Sequence, residues 1–212
     1  MTNPNLTLIA VLLDRSGSMQ SIKSDTEGGF DAFIAEQRTQ PGDAIVTLAQ
    51  FDNDYERVYT SIPIDQVPPL ELRPRGSTAL LDGIGRLTTE IGEELAALPE
   101  HERPGTVIVL VVTDGEENSS TEWALDAVKA AITRQESEFA WDYVFLGANI
   151  DAVSVGAGMG FAQDKSITYD ASGQYVGAAY SVTADYVSRK RSAPLGAPVA
   201  GFSDWDRAVT RE

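Results

Sequence analysis

The chain is 212 residues long and carries 16 lysines and arginines against 32 aspartates and glutamates, a formal net charge of −16. Such a surface repels nucleic-acid phosphates and anionic lipid headgroups, so neither is expected as a partner. With no cysteine and a single histidine, His101, disulfides, thiolate chemistry and histidine clusters are excluded, and no apolar run nears the roughly 20 residues of a membrane span.

At the N-terminus, Met1-Thr2-Asn3-Pro4-Asn5 lacks the basic flank of a secretory signal, and a cytoplasmic protein is expected. Leu8-Ile9-Ala10-Val11-Leu12-Leu13 is apolar without alternation, the pattern of a strand covered on both faces in a parallel sheet. Met19, Ile22, Phe30, Phe33 and Ile34 then mark a helix, which Gly28-Gly29 weakens. Ala44 to Phe51 reads as a second buried strand. The three residues Asp52-Asn53-Asp54 lead into Tyr55-Glu56-Arg57-Val58-Tyr59, which alternates. A turn that short makes an antiparallel hairpin, and therefore a sheet edge.

Leu80, Ile84, Leu87, Ile91, Leu95 and Leu98 recur every three or four residues, predicting a long amphipathic helix that stops at Pro99. Val107 to Val112 repeats the buried-strand pattern. Trp123, Ala127, Val128, Ala131 and Ile132 predict the next helix, with Thr121 as its N-cap. Tyr143 to Leu146 reads as a strand, and Gly156-Ala157-Gly158-Met159-Gly160 as the end of a short helix. Tyr175, Ala179, Val182, Tyr186 and Val187 mark the last helix. Strands alternating with helices give an α/β fold, doubly wound, with a mostly parallel central sheet, one antiparallel edge strand and helices on both faces. Residues 1–191 form one domain. Residues 192–212 are a C-terminal extension: linker-like from Ser192 to Pro198, then an aromatic-acidic tail, Phe202 to Asp206, expected to fold back onto the body.

The chemistry concentrates where two apolar strands end. In open α/β sheets ligands bind beyond the carboxyl ends of the strands, at the point where the winding reverses. Leu13 is followed by Asp14, and Val112-Thr113 by Asp114, so adjacent central strands would bring two carboxylates to one crevice. Asp14, Ser16 and Ser18 place a carboxylate and two hydroxyls at i, i+2 and i+4, with Gly17 allowing the tight turn between them. Thr78 supplies a further hydroxyl just before the long helix. Hard oxygen donors of low net charge suit Mg²⁺, Ca²⁺ or Mn²⁺. Taken singly, each of these residues could instead cap a helix or a loop.

Asp14-Arg15-Ser16-Gly17-Ser18, Thr78 before a helix, and Thr113-Asp114-Gly115 after an apolar strand together resemble the metal-ion-dependent adhesion site (MIDAS) of von Willebrand factor type A (VWA) domains. The resemblance covers roughly residues 6 to 190 and implies a Rossmann-like fold. It further implies Mg²⁺ (or Mn²⁺) contacted directly by Ser16, Ser18 and often Thr78, with Asp14 and Asp114 acting largely through water. A sixth position would take an Asp or Glu carboxylate of a partner protein. The implied protein is a non-enzymatic binding module, a monomer or part of a hetero-complex, serving as an adaptor.

A second class also uses an aspartate at the end of the first strand: the haloacid-dehalogenase-type phosphatases, which resemble D-x-D-x-[TV]. Here Ser16 stands where that motif needs its second carboxylate, and the nearest downstream lysine to Asp114 is Lys129. P-loop chemistry is excluded by the missing motif. Asp82 is expected to complement the helix dipole, Asp52 and Asp54 to form the hairpin turn, and Glu116-Glu117-Asn118 to lie on the solvated rim of the site. His101 is expected to be solvated.

Overall fold

In the computed structural model, which describes residues 1–212, the apolar runs are the inner strands of one six-stranded sheet. The strands are β1 (Asn3–Asp14), β2 (Asp43–Phe51), β3 (Tyr55–Pro63), β4 (Pro104–Thr113), β5 (Asp142–Ala148) and β6 (Ser166–Tyr169). Their spatial order is β3-β2-β1-β4-β5-β6, with every neighbouring pair parallel except the β2–β3 hairpin. The helices are α1 (Lys23–Arg38), α2 (Leu80–Ala97), α3 (Leu125–Phe139), α4 (Ala152–Met159), α5 (Gly173–Ser192) and the short α6 (Asp204–Val209). None is long and apolar enough to cross a membrane.

Why the inner strands show no alternation is visible in the packing. Ile9, Val11 and Leu13 of β1 join Phe30, Phe33 and Ile34 of α1 and Val176, Ala179 and Tyr180 of α5 in one core. The alternate residues Leu8, Ala10 and Leu12 join Leu80, Ile84 and Leu87 of α2 and Val128 and Ile132 of α3 in the other. A strand between two helical layers has no solvent face, so both of its faces must be apolar. The chain winds outward from β1 through β2 to β3, then returns to β4 on the other flank of β1. The winding therefore reverses between β1 and β4, and their carboxyl ends flank the crevice where such folds bind ligands.

Four details differ from the sequence expectations or add to them. β6 is only four residues long, too short to carry a periodicity. α3 starts at Leu125, and its N-cap position is Ala124, with no side-chain cap; Thr121 does not cap it. Trp123 precedes that helix and packs against Gly85 of α2, close enough that a Cβ on Gly85 would overlap the indole. Finally, the tail folds back: Phe202 is buried against Tyr186, ring centroids 5.6 Å apart. The Thr210 hydroxyl donates to Thr168 O at 2.9 Å, Arg207 donates to Ser166 O at 2.7 Å, and Asp170 N–H donates to Thr210 O at 3.0 Å. These bonds cover the outer side of β6.

The two adjacent glycines of α1 have opposite surroundings. Gly28 is exposed, and a Cβ there would meet nothing within 4 Å. Gly29 is buried, and a Cβ there would come within 2.4 Å of the Tyr180 ring of α5; the missing side chain is what lets the two helices approach. Gly29→Ala is therefore expected to destabilise the chain by about 1–3 kcal/mol through overpacking. Gly28→Ala should stabilise it by up to about 1 kcal/mol, through helix propensity alone. Urea denaturation of the two variants beside the wild type checks both signs.

Candidate metal centre

β1 and β4 pair in parallel with Leu13 beside Val112, so Asp14 and Thr113, the last residues of the two strands, stand side by side. Asp14 is fully buried. Its carboxylate accepts the Thr113 hydroxyl on Oδ2 at 2.6 Å and the Ser16 N–H on Oδ1 at 2.6 Å. The Ser16 and Ser18 hydroxyls lie 3.0 Å apart, and Ser18 Oγ donates to Asp114 Oδ1 at 2.6 Å. Thr113, Asp14, Ser16, Ser18 and Asp114 thus form one continuous polar chain, buried at Asp14 and open to solvent at Ser18.

Thr78 arrives from a different segment. Its N–H donates to Asn118 Oδ1 at 2.9 Å, and its carbonyl accepts Asn118 N–H at 3.1 Å. Its Oγ1 lies 3.4 Å from where a Cβ of Gly115 would stand, which puts the hydroxyl beside the Asp114-Gly115 loop. All five sequence-selected residues, Asp14, Ser16, Ser18, Thr78 and Asp114, therefore converge on the β1–β4 crevice. The capping alternative finds no support for two of them. Ser16 precedes the short 3₁₀ turn Gly17–Ile22 without capping it by its side chain. The N-cap position of α2 is Ala79, again with no side-chain cap.

Burial is the largest influence on Asp14 and pushes its carboxyl up to about 6; the hydrogen bonds from Thr113 and Ser16 oppose the rise, and the Asp114 charge adds to it. Asp114 is also raised above the ordinary carboxylate range, by burial first, against hydrogen bonds from Ser18 and Ser16. Two acids in one crevice, each with its charge disfavoured, make a site that a cation would relieve.

The surrounding acids have roles that local spacing did not reveal. Glu117, expected on the solvated rim, accepts the N–H groups of Leu81, Ser119 and Ser120 at 2.7–2.8 Å, and so binds the first turn of α2. Asp82 does more than complement a helix dipole: it accepts the N–H groups of Thr121, Glu122 and Trp123 at 2.7–2.9 Å. Asp52 is buried beneath the hairpin turn and receives Arg15 Nε at 2.9 Å and Arg75 Nε at 2.7 Å. Burial pushes its carboxyl up, but Arg75, the Asp54 N–H and the Arg15 charge outweigh that and hold it below the ordinary range. The two guanidinium groups supply its counter-charge. His101 is exposed, and α4 ends at Gly160, whose φ of 104° is left-handed.

The chain matches no protein-family model and no curated protein sequence. Among solved structures, it is similar to the pilus adhesin SpaC from Lactobacillus rhamnosus GG, with a TM-score of 0.67 and 14% identity over 87% of this chain and 30% of that one. Proximal thread matrix protein 1 from the mussel byssus gives 0.62 and 15% over 88% and 47%. A von Willebrand factor type A structure from Catenulispora acidiphila gives 0.56 and 14% over 86% and 43%. The fold is that of a VWA domain. At these identities the likeness is one of fold, and this chain spans less than half the length of each of the three. The mussel protein has also been solved with zinc in its MIDAS motif, at a TM-score of 0.59 and 15% identity.

The raised Asp14 carboxyl has a consequence for stability. Since the folded value lies above the unfolded one, the folded chain holds the proton more tightly, and stability falls as pH rises from about 4 to about 6. Asp14→Asn removes the charge while keeping one oxygen for the Ser16 N–H. In EDTA the variant is expected to exceed the wild type by up to about 3 kcal/mol at pH 8, with the gap closing by pH 4. Denaturant titrations across that range test this; a gap that widens toward acid contradicts it.

Proposed function

We propose that this chain is a metal-dependent protein-binding module. Asp14, Ser16, Ser18, Thr78 and Asp114 would hold Mg²⁺ or Mn²⁺, and the cation would take an Asp or Glu carboxylate from a partner protein. The observation that carries this reading is the continuous chain from Thr113 through Asp14, Ser16 and Ser18 to Asp114, in which oxygen donors converge on two disfavoured carboxylates. The donors are hard, and three of them are neutral hydroxyls, a set suited to Mg²⁺ or Mn²⁺. A cation held mainly by neutral groups keeps much of its charge for an external anion.

The net charge of −16 then narrows the partner. A broadly acidic protein would be repelled before its carboxylate reached the crevice. The fitting partner presents one acidic side chain on a neutral or basic surface, and contact is made by an adaptor rather than an enzyme. Phosphoryl transfer through Asp14 has less to support it. The Arg15 side chain is turned toward Asp52 and Glu56, and Lys129 lies on α3 against Gly160. Arg15 is thereby committed to two carboxylates, and Lys129 belongs to a helix that contributes none of the five residues of the crevice.

Millimolar Mg²⁺ or Mn²⁺ is expected to raise the melting temperature of the wild type by several degrees, since a ligand bound only to the folded state stabilises it. Asp14→Ala combined with Ser16→Ala should abolish that response. A response unchanged in the double variant overturns the site. Mg²⁺-dependent hydrolysis of an aryl phosphate that is lost in Asp14→Asn would instead make the protein a phosphatase.

A further inference from the structure

The position of Thr78 is set by residues outside the five assigned above. Thr78 itself exchanges two bonds with Asn118, and Ala79 O starts α2; the remaining ties on the segment from Arg75 to Ala79 lead to the β2–β3 turn or to the Arg15–Gly17 loop. Arg75 N–H donates to Arg15 O at 2.8 Å, Gly76 O accepts Gly17 N–H at 3.2 Å, and Ala79 N–H donates to Asp52 O at 2.9 Å. Ser77 N–H donates to Asn53 Oδ1 at 2.9 Å. Gly76 holds a left-handed φ of 69°, and a Cβ there would come within 2.4 Å of that same Asn53 oxygen. One side chain of the segment reaches back into the protein: Arg75 Nε donates to Asp52 Oδ2 at 2.7 Å. Asp52 cannot follow a moving loop, because it is buried and also accepts Arg15 Nε and Asp54 N–H, at 2.9 and 2.7 Å.

We propose that Arg75, anchored on Asp52, is a positioning residue for the cation site: it holds the segment so that the Thr78 hydroxyl stays beside Gly115 and Asp114. The inference rests on the cation reading of that site and extends it to a residue that touches neither metal nor partner. The Arg75 side chain is 60% exposed, and exposed ion pairs contribute little to global stability. Its role is to fix one loop. Arg73, two residues earlier, pairs only with Glu71, and both are largely exposed; it has no anchor in the protein and serves as the control.

The sign of the effect separates positioning from electrostatics. Arg75 is a positive charge near a proposed cation, so removing it should tighten metal binding if charge alone matters. Positioning demands the opposite. In Mn²⁺ titrations followed by calorimetry and electron paramagnetic resonance, Arg75→Ala is expected to bind Mn²⁺ about tenfold more weakly than the wild type. Arg73→Ala should bind as the wild type does, and Arg75→Lys, which keeps a donor for Asp52, should recover most of the loss. In a Thr78→Ala background, Arg75→Ala should cost nothing further, because the contact it serves is already gone. Unchanged or tighter Mn²⁺ binding by a folded Arg75→Ala chain overturns the proposal, as does a full tenfold loss in the Thr78→Ala background. Failure of the wild type itself to bind Mn²⁺ overturns the cation reading, and the positioning role falls with it.

Discussion

A carboxylate without exposed surface at the end of β1 is a costly group to fold, and the crevice is built around meeting that cost. Because β1 and β4 run parallel with Leu13 beside Val112, the Thr113 hydroxyl reaches Asp14 across the strand boundary. The bend at Arg15–Ser16 brings the Ser16 N–H back to the other carboxylate oxygen. Two hydrogen bonds offset part of the desolvation, and the carboxyl still rises to about 6. What is left uncompensated faces Ser18 and Asp114, where the crevice opens. The sheet register thus determines not only where the acid sits but also the side from which a counter-charge can approach.

The loops above the sheet are held by acids that accept backbone N–H groups from distant segments. Glu117 binds the start of α2, Asp82 in that same helix binds residues 121–123, and Asp52 binds two arginines and the Asp54 N–H. Hydrogen bonds to charged groups contribute about 1.5–3 kcal/mol each when well made. Reciprocal exchange between residues 80–82 and 117–123 locks the start of α2 to the loop after β4 and holds the segment on the C-terminal side of Thr78, while Arg75 ties it on the other. Part of the acidic surplus of this chain is therefore structural, and works as backbone capping rather than as a solvated coat.

The parts of this architecture legible in the sequence are those with a local signature. Leu8 to Leu13 and Val107 to Val112 announced strands with two buried faces. Asp52 to Asp54 announced a hairpin and hence the edge. Asp14, Ser16 and Ser18 carried their spacing within five residues. Illegible features depend on pairings between distant segments. Glu117 and Asp82 reach partners 36 to 41 residues away. Gly29 looks like a helix weakness until Tyr180, on a helix near the other end of the chain, is seen lying against it. Thr121 had the chemistry of an N-cap, but its backbone had already been claimed by Asp82.

The two borders of the sheet differ in kind. β3 lies open, though its pairing with β2 is irregular at Val46–Leu48 and Leu48–Ala49 and it ends in an exposed proline, both features that discourage edge association. β6 is closed by the chain itself, through Arg207 and Thr210. Assembly through strand addition can propagate only when a molecule offers a docking border on each side. A molecule with one border sealed from within can at most join a second copy through β3 and stop there. The folded tail acts as a terminator, limiting strand-to-strand growth to a closed pair in a protein whose centre is a long, strongly apolar parallel sheet.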